Sequence, residues 1–499
     1  VAHAQQIAPG STAPEKPGTP DATTALNDDG EILGYSPQAE EPYPYSHTAY
    51  SHINEHQLAI AESTTDQREE LRVTRETGGQ IMTIEQAMVF ALQRHKKARA
   101  AVQFIGDLMT EYGFIPSSGD GSEALVIGDT QEAWVFEVMG VGEGWQPGSG
   151  KPGAIWAAQR LPDDHATMIP NYSIIKQIDA EDTANFMVSG NYMQEAFDRG
   201  YYDPDSGRPF VWQDVYAPLT QEYATGRFWL FHQTFAPNLY DWPKRHLDGD
   251  LYASLNQYFQ TVEPLSIYPF SIKPEKKISV KDVMAFQRSV FEDTIYDITS
   301  QPQWLVPGRD EDDNFTGEYI KSPLATPFPG RDLRELLNLS YRRPVARHRG
   351  HSGMIAQLRG WLPDAIGGVY WIFLDNPYVG PYVPMYAGNL STHESYQLYD
   401  PEQYDERSAR WAYDFVDNLA SLKFQHAIED IRAKRDPFEA AMFDRQADVE
   451  KEALALFDND PQAARQYLTD YSSSLMEQAT KMYVGLRNEL IVNYTNNQE

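Results

Sequence analysis

Residues able to do chemistry are thinly scattered along this chain, and the most familiar patterns among them fail on spacing. Gly148-Ser149-Gly150-Lys151-Pro152 looks like half of a phosphate-binding loop. The first glycine of such a cradle would fall on Trp145, however, and Pro152 replaces the hydroxyl that should hold magnesium, so nucleotide binding is not expected there. His348-Arg349-Gly350-His351-Ser352-Gly353 puts two histidines three apart beside a serine. It lacks the Gly-x-Ser-x-Gly elbow, and arginines at 342, 343, 347 and 349 would repel a cation, so it reads as a solvated basic loop or an internal ion-pair partner for this acidic protein. No His-Glu-x-x-His occurs, which removes the zincin type of protease, and no metal-ligating set is expected. There is no cysteine at all, so disulfides, thiolate metal sites, iron–sulfur clusters and a cysteine nucleophile carried by these 499 residues are excluded.

What remains is a set of polar residues spread over four segments. Asn54-Glu55-His56-Gln57 is a turn entering the strand that ends in Glu62-Ser63-Thr64; Gly128-Asp129 lies at a hairpin; Arg160-Leu161-Pro162-Asp163-Asp164 leads to Pro170-Asn171-Tyr172-Ser173; and Gly226-Arg227-Phe228-Trp229 follows. Each alone is a weak signal. Asn54 and His56 are expected to shape their turn, because an Asn in a turn commonly bonds its own backbone. Asp129 and Asp163 also read as turn residues, and Trp134 and Trp156 as core.

The elements that must position these residues can be read from hydrophobic periodicity. Residues 1–45 are rich in Pro, Gly, Ala and Thr with no regular period and read as an extended arm or loop. From 83 to 112, Ile84, Ala87, Met88, Ala91, Ala98, Val102, Ile105 and Leu108 recur at helical spacing, with Thr83 as N-cap, predicting one long amphipathic helix that ends near Gly113. The apolar runs 124–129, 133–139 and 154–160 predict adjacent antiparallel strands beneath that helix. Helices are expected over 182–198 and 280–297, a buried strand over 366–374, and irregular chain over 237–279 and 298–345. From 405 onward the pattern is almost wholly helical. The fold class is therefore α+β, divided into the arm 1–45, a main domain 46–400 and a helical C-terminal extension 401–499.

Composition sets the outer limits. Aromatic residues at 12% demand a packed core, and 41 basic against 72 acidic residues, a net charge of −31, argue against any nucleic-acid partner. No stretch approaches the roughly 18 apolar residues needed to span a bilayer, so no membrane span is expected. Val1-Ala2-His3-Ala4-Gln5 has neither an initiator Met nor the basic and apolar regions of a leader. It looks like a processed or truncated end, and together with the acidity and the lack of cysteine it is compatible with a cleaved, exported protein.

Taken in order and at these separations, the four polar segments resemble the cysteine dipeptidase family (dipeptidase A and secernin-like proteins) of the N-terminal-nucleophile hydrolases. More distantly they resemble the bile-salt hydrolase and penicillin V acylase branch. The resemblance runs from about residue 46 to residue 435 and includes Arg359-Gly360-Trp361-Leu362-Pro363 and Leu374-Asp375-Asn376-Pro377-Tyr378. It implies an αββα sandwich and a cofactor-free hydrolysis of short peptides, in which the first residue of the mature enzyme is a cysteine. The thiol attacks the carbonyl, and the cysteine's own α-amine, with an ordinary pKa of about 7.7–8.0, serves as base.

Carried over by position, Asn171 would donate its side-chain amide to the oxyanion, and Arg227 would steady the thiolate or a substrate carboxylate. Glu62, Ser63 and Thr64 would line the substrate site, where a Glu could also meet the substrate ammonium. The chain departs from the family pattern at one point: Val1 is no nucleophile, and the family's opening Cys strand is absent. The nucleophile is therefore expected upstream of Val1. Three readings stay open: the sequence continues upstream, the nucleophile segment is a separate N-terminal peptide, or the protein is a non-catalytic relative serving in binding or assembly. A homo-oligomer is compatible with each.

Overall fold

The computed structural model describes residues 22–26, 32–37, 39–47, 50–74, 77–116, 121–218, 222–239, 268–294, 296–348, 350 and 352–495. It is a mixed α/β structure, in keeping with the expected α+β class, and contacts divide it into two compact units. One comprises the described parts of 7–278 with 358–364; the other comprises 279–357 and 365–495. Most of the 237–279 stretch, together with Arg349 and His351, lies outside the described residues.

Within the arm, β1 (Ala22–Leu26) and β2 (Ile32–Pro37) pair as a separate two-stranded antiparallel sheet, where an extended arm or loop is expected. The first unit is then built on one seven-stranded antiparallel meander. Its strands, in spatial and chain order alike, are β3 (Tyr45–His47), β4 (Ser51–Asn54), β5 (Ala59–Thr65), β6 (Ser122–Gly128), β7 (Ala133–Met139), β8 (Ile155–Arg160) and β9 (Phe186–Val188). The three strands expected to lie side by side do so, as β6, β7 and β8. Side chains alternate across the sheet: Ile60, Leu125, Ile127, Trp134, Phe136, Val138, Trp156 and Ala158 join one core with the helices that cover this face. Trp134 and Trp156 are core residues, as expected.

The covering element is two helices where periodicity predicted one: α1 (Ile84–Arg94) and α2 (Ala98–Tyr112). Thr83 caps α1 as expected, its hydroxyl accepting from the Gln86 amide. The break at 95–97 is imposed from outside the segment. Asn54 Nδ2 donates to the carbonyls of Leu92 (2.9 Å) and His95 (2.8 Å), closing the C-terminus of α1. Asp129 Oδ2 accepts from the Ala98 amide at 2.8 Å, doing for α2 what an N-cap side chain would do. Both residues also perform the turn duty expected of them. Asn54 Oδ1 accepts from the amides of His56 and Leu58, and Asp129 Oδ1 accepts from those of Gln131 and Glu132. Asp163 sits in a turn and accepts from Arg160.

The expected helix 182–198 is β9 followed by a single short helix, α3 (Tyr192–Asp198). Among the described residues of the unit, two more α-helices follow: α4 (Trp212–Tyr216) and α5 (Glu222–Phe235).

In the second unit, α6 (Val280–Gln287) is shorter than the 280–297 expectation. The stretch expected to be irregular contains a hairpin, β10 (Leu305–Arg309) with β11 (Phe315–Lys321), and α7 (Arg331–Leu337). A three-stranded sheet, β12 (Ser352–Gln357), β13 (Val369–Leu374) and β14 (Val383–Tyr386), has β13 at its centre with all six residues buried. The expected helical tail is α8 (Ala409–Ala420), α9 (Phe424–Phe457) and α10 (Pro461–Tyr494).

Candidate active site

Asn171, Arg227 and the end of β5 meet in the first unit, although they lie far apart in the chain. The Asn171 backbone amide donates to Ser63 Oγ at 3.2 Å, and its side-chain Nδ2 donates to the Thr64 carbonyl at 2.7 Å. Arg227, buried on α5, donates through Nη2 to Asn171 Oδ1 and to the Pro170 carbonyl, both at 2.8 Å, and through Nε to the Tyr223 carbonyl at 2.7 Å. Asn171 has φ +61°, a left-handed conformation that Asn tolerates better than most residues. Its amide is thus held at both ends: the oxygen faces a guanidinium, one N–H faces a carbonyl, and the second N–H of the group is the donor that a substrate oxygen could use.

The three candidates on β5 do not share a face. Register pairs Ser63 with Ala124, which pairs with Glu137, on the side where Asn171 lies; Glu62 pairs with Leu125, which pairs with Phe136, on the helix-covered side. Only the Ser63 hydroxyl and the Thr64 main chain reach Asn171. The side chains of Glu62 and Thr64 turn towards α1 and bond to each other, Thr64 Oγ1 donating to Glu62 Oε1 at 3.2 Å. Burial pushes the Glu62 carboxyl up from its ordinary 4.5 to about 7, the nearby Glu85 charge adds to this, and the Thr64 hydroxyl opposes it. Strict alternation along a strand forces this split, since three consecutive residues cannot all line one pocket.

The outer edge of β5 changes partner at the same place. The β4 register ends at Ser51 with Ala61. The Glu62 amide still donates to the Tyr50 carbonyl, and at Thr64 the partner is the Asn171 side chain instead of a strand.

One residue of this neighbourhood escaped the sequence reading. Glu137 on β7 is fully buried and accepts from Ser173 Oγ (2.5 Å), the Ile174 amide (2.7 Å), the Ile175 amide (3.1 Å) and Trp212 Nε1 (2.8 Å). Burial pushes its carboxyl up, and these donors oppose the shift. The available signal was a lone carboxylate in the apolar run Ala133-Trp134-Val135-Phe136-Glu137-Val138-Met139, at an inward position that demands buried donors. The same segment is tied again by Gln213, whose Nε2 donates to the Ser173 carbonyl and whose Oε1 accepts from Lys176.

The loop at 148–152 is solvated, with Trp145 Nε1 donating to the Lys151 carbonyl, and His348 packs beside Phe328. Among the described residues, no cluster of three His, Asp or Glu is arranged to hold a metal, and no helix is long and apolar enough to cross a membrane.

Residues 23–436 match the sequence model of Peptidase family C69. The chain belongs to that family. Among curated relatives of this C69 chain is the probable dipeptidase of Latilactobacillus sakei, 24% identical over 320 residues, which are 64% of this chain and 52% of the relative. The probable dipeptidase B of Lactococcus lactis subsp. lactis is 23% identical over 408 residues, or 82% of this chain and 71% of the relative. Dipeptidase A of Lactobacillus helveticus is 22% identical over 299 residues, or 59% of this chain and 48% of the relative. The C69 chain thus matches about half the length of the first and third of these proteins.

Proposed function

We propose that this protein is a dipeptidase-like amide hydrolase acting on short peptides, with a cysteine upstream of Val1 as nucleophile and an N-terminal-nucleophile αββα sandwich as its frame. The observation that carries the reading is the meeting of Asn171, Arg227 and Ser63 at one strand end, over sequence separations of 108 and 56 residues. Membership of Peptidase family C69 and relatives named as dipeptidases support it.

In the proposed reaction the cysteine α-amine takes the thiol proton, the thiolate attacks the scissile carbonyl, and the same proton passes to the leaving amine as the C–N bond breaks; water, giving a proton to the same α-amine, then attacks the thioester and releases the acid and the thiol. The Asn171 Nδ2–H donates to the oxygen that becomes negative in the tetrahedral intermediate, a neutral donor that needs no proton exchange of its own. Arg227 acts first on Asn171: by donating to Oδ1 it turns the amide so that the nitrogen faces the strand end. Its positive charge also favours a thiolate or a peptide carboxylate nearby.

The test is hydrolysis of dipeptides by protein expressed from the whole reading frame, so that whatever precedes Val1 is present. Activity lost on changing the upstream Cys to Ala supports the reading, and activity from residues 1–499 alone rejects the cysteine mechanism. The absence of cysteine from the 499 residues favours one second reading, a non-catalytic binding or assembly relative. A mature N-terminus at Val1 combined with no hydrolysis would select it.

A further inference from the structure

The segment bearing Asn171 is gripped at both ends. On one side Arg227 holds the Pro170 carbonyl and the Asn171 side chain. On the other, the Glu137 carboxylate collects the Ser173 hydroxyl and the amides of Ile174 and Ile175, and a fourth donor, the Trp212 indole, fixes the carboxylate itself. Only Asn171 and Tyr172 lie between the two grips, and Tyr172 is buried against Phe228 of α5. A carboxylate with no solvent contact is costly, and a packed apolar side chain at 137 would be the simpler way to fill a sheet core. Here the carboxylate satisfies two loop amides that are buried and outside any strand or helix. It therefore fixes residues 173–175 against β7, two residues beyond the left-handed turn at Asn171.

We infer that Glu137 is a positioning residue for the proposed amide hydrolysis: by pinning 173–175 to β7 it sets, together with Arg227, the direction of the Asn171 Nδ2–H that faces the substrate carbonyl. This rests on the reading of Asn171 as oxyanion donor. Glu137 itself touches neither substrate nor nucleophile in this scheme. Its effect falls on the transition state alone, because a misaimed donor weakens the oxyanion contact while ground-state peptide binding is kept.

The test uses protein from the whole reading frame and steady-state hydrolysis of a dipeptide by wild type, Glu137→Gln, Trp212→Phe, Asn171→Ala and the Glu137→Gln/Asn171→Ala double variant. Glutamine keeps the size and an acceptor for the Ile174 and Ile175 amides, but turns an N–H towards Ser173 or Trp212. The expected result is a kcat lower by about 10- to 100-fold in Glu137→Gln, the range for a displaced catalytic contact, with KM within about twofold. Trp212→Phe, which removes the indole N–H and leaves a smaller aromatic ring, shifts kcat in the same direction by a few-fold and decides the matter if Glu137→Gln fails to fold. In the Asn171→Ala background the Glu137 change should add less than about twofold, since a residue acting through Asn171 has nothing left to aim. Full multiplication of the two losses, or an unchanged kcat with only a lowered melting temperature, overturns the inference and leaves the reading of Asn171 standing. Wild-type kcat in Asn171→Ala, or no hydrolysis by wild type, rejects that reading and the inference with it.

Discussion

Replacing Glu62 by Gln should make the seven-stranded sheet less sensitive to pH, and it should do so by stabilising the protein on the alkaline side. Burial and the neighbouring Glu85 raise this carboxyl from 4.5 to about 7. A raised folded-state value means that the neutral form is the one the fold accommodates. The contribution is therefore full below about pH 4.5 and is lost as pH rises through 7. With those two values, linkage gives a loss of about 2.5 kcal/mol between pH 5 and pH 8 as an upper bound. Glu62 is partly exposed, so screening by solvent leaves about half of that, roughly 1 kcal/mol, as the expected effect. Glutamine keeps the acceptor that Thr64 Oγ1 uses. Amide hydrogen exchange of β5 and β6, corrected for the intrinsic pH dependence of exchange, reads the opening free energy of this sheet separately from the rest of the chain. At pH 5 the two proteins should match closely; at pH 8 the Gln variant should be harder to open. A Gln variant that opens more easily at pH 8 would show that Glu62 is ionised and paired in the fold, and one that keeps the wild-type pH slope would show that its carboxyl is not shifted; either result would refute the reasoning.

Three further outcomes are expected. Asn171→Ala should lower kcat for dipeptide hydrolysis by about 10²–10³ with a smaller change in KM, as for the loss of one oxyanion donor; equal losses of binding and turnover in steady-state kinetics would contradict its role. Gly106→Ala should destabilise the first unit by about 1–2 kcal/mol, because overpacking outweighs the gain in helix propensity: an added Cβ would meet the Trp156 ring at 2.4 Å, and urea unfolding followed by tryptophan fluorescence measures the shift. Asn54→Ala removes four hydrogen bonds at once and should cost about 2–4 kcal/mol, with Asn54→Asp, which keeps the two turn contacts but sets a buried carboxylate oxygen against the Leu92 and His95 carbonyls, costing at least as much in the same titration.

The parts of the fold that could be read from sequence are those whose cause is local. Alternation in 124–139 and 154–160 reports a sheet half-covered by apolar packing, and the Thr83 cap lies immediately before its helix. Asn171 and Arg227 could be matched to motif positions, but their meeting depends on a loop held by Glu137, whose donors come from residues 36 to 75 positions away. No local window contains that information. The break between α1 and α2 was invisible for the same reason: apolar spacing runs on through Ala91 and Ala98, while the groups that end one helix and start the next come from Asn54 and Asp129. The strand Phe186–Val188 is only three residues long, and its pairing with β8 gives it strand character. On β5 the family pattern groups Glu62, Ser63 and Thr64, and only the pleat reveals that they serve opposite faces.

The joint at 95–97 also sets an order of events during synthesis. Asn54 is already made when α1 emerges, so the C-terminus of the first helix can close at once. The start of α2 waits for Asp129, which follows Ala98 by 31 residues. At about 5–20 residues per second, that is a delay of roughly 2–6 s, long compared with the microseconds a helix needs to form. Throughout that interval the unbroken apolar spacing favours one continuous rod over 84–112, and the arriving hairpin must bend it. Residues 83–113 released as a free peptide should accordingly join across His95–Lys97 into a single helix, so that the corner belongs to the assembled protein and not to the stretch of chain in which it is found.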